Sequence, residues 1–243
     1  MRLTDRRGDL KRLLDGFAPH EGGLPRDPIL TSDESWWFQA GLHAGLYGFE
    51  TCPDGCDRLR RSGHRGPDHF RTFEGGARHL FSDLAAPEPR LNREYLPHLA
   101  AVTRAIVEFG YPREHASFSR YRTFSRDLLH KRAGGSYETD AEFHVAADNL
   151  RLQVEAKSDE QQTARLTKQV RSFRLTEMEP TSAKEIEYVL DLRPEILWIV
   201  GPGSVHPARF VFLVEVDGLD ATFTQTDENL LYCAFPQLWR ASS

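Results

Sequence analysis

The sequence predicts an α/β fold, with a mixed central sheet flanked by helices and a loop-rich N-terminal extension before it. Three observations predict it. Apolar residues recur at helical spacing through 93–109, with Tyr95, Leu96, Leu99, Val102, Ile106 and Phe109 on one stripe and Gly110 as a stop. From 139 to 157 the pattern changes to alternation, the mark of half-buried strands. Beyond it, helical patterns and short apolar strands follow one another, which gives an α/β order.

The first ninety residues are broken by Gly22-Gly23, Pro25, Pro28, Gly41, Gly45, Gly48, Gly63, Gly66-Pro67, Gly75-Gly76, Pro87 and Pro89, so only short helices are expected there, over 34–46 and 77–84. The Pro-rich Ala86-Pro87-Glu88-Pro89 suggests a boundary, with an extension over 1–92 and the main domain over 93–243. After the helix through 93–109 come strands over 118–124, 139–147 and 150–157. A helix over 159–175 follows, opened by Ser158-Asp159-Glu160-Gln161 in the form of a capping box and carrying Leu166, Val170 and Phe173 on its core stripe. A further helix over 182–190 leads to buried strands over 196–200 and 210–216. The tail from 217 to 243 reads as peripheral strands or loop. No repeat and no low-complexity tract interrupts this order.

Composition excludes several classes. With 40 % apolar and 28 % charged residues the chain is too apolar for disorder. Its longest apolar runs fall far short of the ~20 residues of a membrane span, and no signal-peptide pattern follows Met1, so no membrane association is expected and a cytoplasmic location is. Three cysteines make no disulfide framework. The net charge of -5 is unlike a wholly basic nucleic-acid binder. Locally the picture differs: from Arg104 to Ser136 there are seven basic residues (Arg104, Arg113, Arg120, Arg122, Arg126, Lys131 and Arg132) against Glu108, Glu114 and Asp127, which leaves +4 just before the hairpin at 139–157. Only five of the 31 basic residues are lysine, and arginine is the better bidentate phosphate ligand.

That hairpin is the most informative stretch. Alternation puts Ala141, Phe143 and Val145 on one face with Leu150, Leu152, Val154 and Ala156, facing the core. The other face gathers Asp140, Glu142 and His144 with Arg151, Gln153, Glu155 and Lys157. A two-residue turn at Asp148-Asn149 would set Glu142 opposite Glu155 and Asp140 opposite Lys157. Facing carboxylates repel and weaken a ladder. A divalent cation removes that repulsion, and Mg²⁺ prefers carboxylate oxygens beside substrate phosphate.

Asp140 followed by Glu155-Ala156-Lys157, with an apolar strand running into the Glu-x-Lys, resembles the signature of the PD-(D/E)xK nuclease superfamily, and the predicted helix-strand-strand-strand-helix-strand order over roughly 93–216 resembles its restriction-endonuclease-like αβββαβ core. No proline precedes Asp140, and Glu142 on the same face is the alternative first acid. The resemblance implies a nuclease that hydrolyses phosphodiester bonds, most simply a DNA endonuclease of restriction, defence or repair type. One or two Mg²⁺ or Mn²⁺ ions would be held by Asp140, Glu155 and the carbonyl of Ala156, with Lys157 orienting or deprotonating the attacking water. Arg120, Arg122, Arg126, Lys131 and Arg132 would contact the nucleic acid. Auxiliary positions often filled in the family have candidates in Glu108 or Glu114 upstream and Gln161, Gln162 or Gln169 downstream. Cutting both strands of a duplex would favour a homodimer. The competing reading is a binding or assembly module that keeps the fold without the activity.

Outside the hairpin, Cys52-Pro53-Asp54-Gly55-Cys56 followed by His64 and His69 could form a structural zinc site, although its spacing departs from the common short forms. Trp36-Trp37-Phe38 reads as core rather than a stacking platform for bases. Cys233 reads as a packing residue, and Gly201-Pro202-Gly203 and Gly134-Gly135 as turns.

Overall fold

The computed structural model describes residues 31–50, 69–75, 77–79, 81–82, 90–92, 94–124, 135–146, 149–173, 184–202, 208–217 and 220–232. Its described elements run α1 (Ser32–His43), β1 (Tyr47–Glu50), β2 (His69–Thr72), β3 (Ala77–His79), β4 (Phe81–Ser82), β5 (Arg90–Leu91), α2 (Tyr95–Val107), β6 (Ala116–Phe124), β7 (Gly135–Ala146), β8 (Asn149–Ala156), α3 (Glu160–Arg171), α4 (Lys184–Leu192), β9 (Ile196–Gly201), β10 (Ala208–Asp217) and β11 (Asp220–Thr226). The protein is a mixed α/β structure. Its main sheet has six strands in the order β11-β10-β9-β8-β7-β6, antiparallel throughout except for the parallel pair β8–β9. That pair is joined through α3 and α4, as a parallel connection requires. Among the described residues no helix is long and apolar enough to cross a membrane.

Alternation along the strands divides the sheet into two apolar faces. Ala141, Phe143, Leu152, Val154, Ile196 and Trp198 pack with Leu96, Leu99 and Val102 of α2, and Phe38 and Phe70 from the N-terminal region join the same cluster. The core thus runs across residue 92. On the opposite face Leu197, Ile199, Phe212 and Val214 meet Leu166 and Val170 of α3 and Ile186, Val189 and Leu190 of α4. Burying each such side chain contributes about 1.5–3 kcal/mol. A one-residue slip of β8 would turn Leu152 and Val154 away from α2, so register is firmly held.

Three local expectations change. The described residues of 77–84 form strands rather than a helix: Ala77–His79 pairs with β2, His69 lying opposite His79, and Phe81–Ser82 pairs with β5. Cross-strand hydrogen bonding here outweighs a weak local helical pattern. Asn149, expected in the turn, is instead in β8, opposite Ala146. The helix after β8 is capped one residue later than the sequence suggests, by Asp159, whose Oδ1 accepts from the Gln162 amide at 2.8 Å. α1 instead carries a full capping box, Thr31 with Glu34.

Candidate functional site

From Phe143 opposite Leu152 to Ala141 opposite Val154 the pairing lies two residues from the expected one, which keeps the faces and changes the partners, while the ladder is irregular around His144, which pairs with Leu150. Glu142 lies opposite Gln153, not Glu155, and the last paired residues before the strands part are Ala141 and Val154. Just past that point the Oδ2 of Asp140 accepts the backbone N–H of Ala156 at 2.6 Å. The side chain takes over where ladder hydrogen bonding stops. The N–H and C=O of one strand residue point to the same side, so the Ala156 carbonyl faces the same gap. On its other side β8 stays fixed, since the Lys157 amide donates to the Val200 carbonyl at 2.9 Å.

Glu155 and Lys157 follow on this strand end, both buried. The Nζ of Lys157 stands 3.6 Å from Glu155 Oε2 and 3.8 Å from Glu94 Oε1. Glu94 is the N-cap of α2, yet its carboxylate makes no capping bond. It turns to Lys157 instead. The sequence points instead to an upstream acid at Glu108 or Glu114. Glu108 is bound to Arg104 at the far end of α2, and Glu114 is an exposed residue of the short helix Arg113–His115. The available signal was position, an acid at the very start of the helix that precedes the hairpin.

Glu142 is fully buried and otherwise engaged: Thr139 Oγ1 donates to its Oε1 at 2.7 Å, and His144 Nε2 lies 3.0 Å from its Oε2. Gln153 opposite is equally buried and donates through Nε2 to Glu155 Oε1 at 2.7 Å. Glu142, Gln153 and Glu155 share the sheet face of Leu197 and Ile199. That face is polar on the hairpin and apolar where α3 and α4 pack.

Of the glutamines after the hairpin, Gln161 and Gln162 lie in the first turn of α3. Gln162 is held by Ser158 and Asp159, Gln161 is exposed, and Gln169 is half-buried two turns on. Arg120 and Arg122 belong to β6, the strand at one end of the sheet order, opposite Thr139 and Tyr137. Arg126, Lys131 and Arg132 lie outside the described residues, as do Cys52, Cys56, His64 and Cys233. His69, the remaining member of the zinc set, is buried on β2. Trp36 packs edge-on against Trp37 with centroids 4.3 Å apart, and Phe38 is wholly buried, so this run is largely core. Among the described residues no three His, Cys, Asp or Glu side chains converge to hold a metal ion. Comparison with protein-family models, curated proteins and solved structures finds no match to this chain.

Proposed function

We propose that this protein is a divalent-metal-dependent nuclease of the restriction-endonuclease-like kind, acting on DNA. The observation that carries the reading is the meeting of Asp140 with the Glu155-Ala156-Lys157 strand end, through the 2.6 Å bond from the Ala156 amide to the Asp140 carboxylate. An acid fifteen residues upstream thus meets the strand that carries a second acid and a lysine. The order of α2, β6, β7, β8, α3 and β9 supports the same reading.

The donor set suits Mg²⁺ or Mn²⁺. Mg²⁺ takes one or two protein carboxylates and keeps several waters, and Asp140, Glu155 and the Ala156 carbonyl offer two carboxylates and one carbonyl. Bound there, the cation would supply a water of lowered pKa and a polarised phosphate. Asp140 is the first acid of this scheme, since Glu142 is committed to Thr139 and His144. Glu155 presents Oε2 on the side of Lys157. Lys157, as an ammonium, donates to the attacked phosphate and offsets the charge that builds there while water adds to phosphorus and the P–O bond to the leaving sugar oxygen breaks. Glu94 holds that ammonium from the other side and is the auxiliary acid of the preceding helix in place of Glu108 or Glu114.

A thermal melt with increasing Mn²⁺ tests the reading. The midpoint should rise with Mn²⁺ in the unaltered protein and stay fixed after Glu155→Ala. A charged hairpin on an unrelated scaffold gives no rise in either.

A further inference from the structure

One buried polar side chain of the hairpin has no part in the chemistry outlined above. Gln153 is fully buried between Leu152 and Val154, which are fully buried too, at a position where an apolar residue would pack without penalty. Its Nε2 donates to Glu155 Oε1 at 2.7 Å, while its Oε1 is buried with no hydrogen-bond partner among the described residues. Turning the amide over would set two oxygens against each other, so its orientation is dictated by Glu155. A buried amide with one half unsatisfied costs the fold more than an apolar side chain would. Its return is the grip on Glu155.

Residues behind a metal-ligating side chain fix its orientation and tune its affinity. Gln153 stands in that relation to Glu155: it occupies Oε1 from the buried side and leaves Oε2 toward Lys157, 3.6 Å away. It also stands opposite Glu142 in the ladder, whose oxygens are taken by Thr139 and His144.

We infer that Gln153 is a positioning residue, holding the Glu155 carboxylate so that Oε2 faces a divalent cation, and that its amide serves metal affinity rather than stability. The inference rests on the nuclease reading.

The test measures Mn²⁺ affinity from the electron paramagnetic resonance signal of free Mn²⁺, together with Mn²⁺-dependent cleavage of DNA and thermal midpoints, in the unaltered protein, Gln153→Met and Gln153→Asn. Met keeps the length and removes the amide. Asn keeps an amide but withdraws it by one methylene. Both variants should fold and bind Mn²⁺ about 10–100-fold more weakly. Cleavage should fall at low Mn²⁺ and largely recover when Mn²⁺ is raised, with substrate KM unchanged. Unaltered Mn²⁺ affinity in either folded variant overturns the inference, and loss of folding in both does so as well, since the amide would then serve stability. If the unaltered protein neither binds Mn²⁺ nor cleaves, the nuclease reading fails and takes the inference with it. If it does both and the variants match it, only the role of Gln153 is lost.

Discussion

The carboxylate of Asp140 accepts the backbone amide hydrogen of Ala156 at 2.6 Å, just beyond the last ladder pair, Ala141 with Val154. That single bond joins the middle of β7 to the Glu-x-Lys at the end of β8. It keeps the gap between the strands at a width where a side chain, not a main-chain carbonyl, answers the amide.

Two substitutions at Asp140 separate its structural and chemical parts. Asp140→Asn keeps an oxygen that can accept from Ala156, so unfolding in urea should show a loss of no more than about 1 kcal/mol. Asp140→Ala strands the amide and should cost about 1–3 kcal/mol. Both should lose Mn²⁺ binding. A variant that retains it would assign the first-acid role to Glu142.

The placement of α3 behind the site depends on Gly201. A Cβ at this position would overlap Thr163 Oγ1, and Thr163 is fully buried with its hydroxyl bonded to the Asp159 carbonyl. Gly201→Ala should therefore destabilise the protein by about 1–3 kcal/mol through overpacking. Adding Thr163→Ala should recover part of that loss. Equal, additive losses in the double variant would mean that the helix does not sit against this glycine.

Glu34 gives the protein a pH dependence of known sign. Burial raises its pKa from 4.5 to about 7, against the opposing pull of the two Thr31 hydrogen bonds and of Arg209, with Asp33 adding to the rise. Because the folded value is the raised one, the native state holds a proton that the unfolded chain has released between pH 4.5 and about 7. Stability associated with Glu34 is fully present below that window and falls as pH rises through it, by up to about 3 kcal/mol. Glu34→Gln should remove this slope, so the difference between variant and unaltered protein in urea melts should widen from pH 5 to pH 8. A constant difference contradicts the assignment.

Glu94 and the acids expected from sequence can be compared directly. Glu94→Gln should weaken cleavage because Lys157 loses a carboxylate neighbour. Glu108→Gln and Glu114→Gln should leave it unchanged. The reverse pattern would return the auxiliary role to the C-terminal side of α2.

How far the sequence could be read follows from what sets each feature. The order of elements from α2 to β10 is carried by side-chain period, and Leu96, Leu99, Phe143, Leu152 and Val154 declare their face locally. Pairing is not local. Asp148-Asn149 has the chemistry of a turn, but the ladder continues to Asn149 opposite Ala146, so Glu142 meets Gln153. Residues 77–79 look like the start of a helix until β2 supplies a partner. Glu94 was hidden because nothing in the sequence says which end of α2 reaches the tip of β8. The deep burial of Glu142 and Gln153 was equally invisible, since an alternating polar face reads as solvated. Packing of α4 against β8 accompanies that burial.

The most direct test of the central claim is cleavage of single-stranded, duplex and branched DNA with Mg²⁺, Mn²⁺ or chelator, comparing the unaltered protein with Lys157→Ala. Metal-dependent cutting that disappears in a fully folded Lys157→Ala protein is the predicted result. Cutting that survives the substitution, or that proceeds equally with chelator, would contradict it.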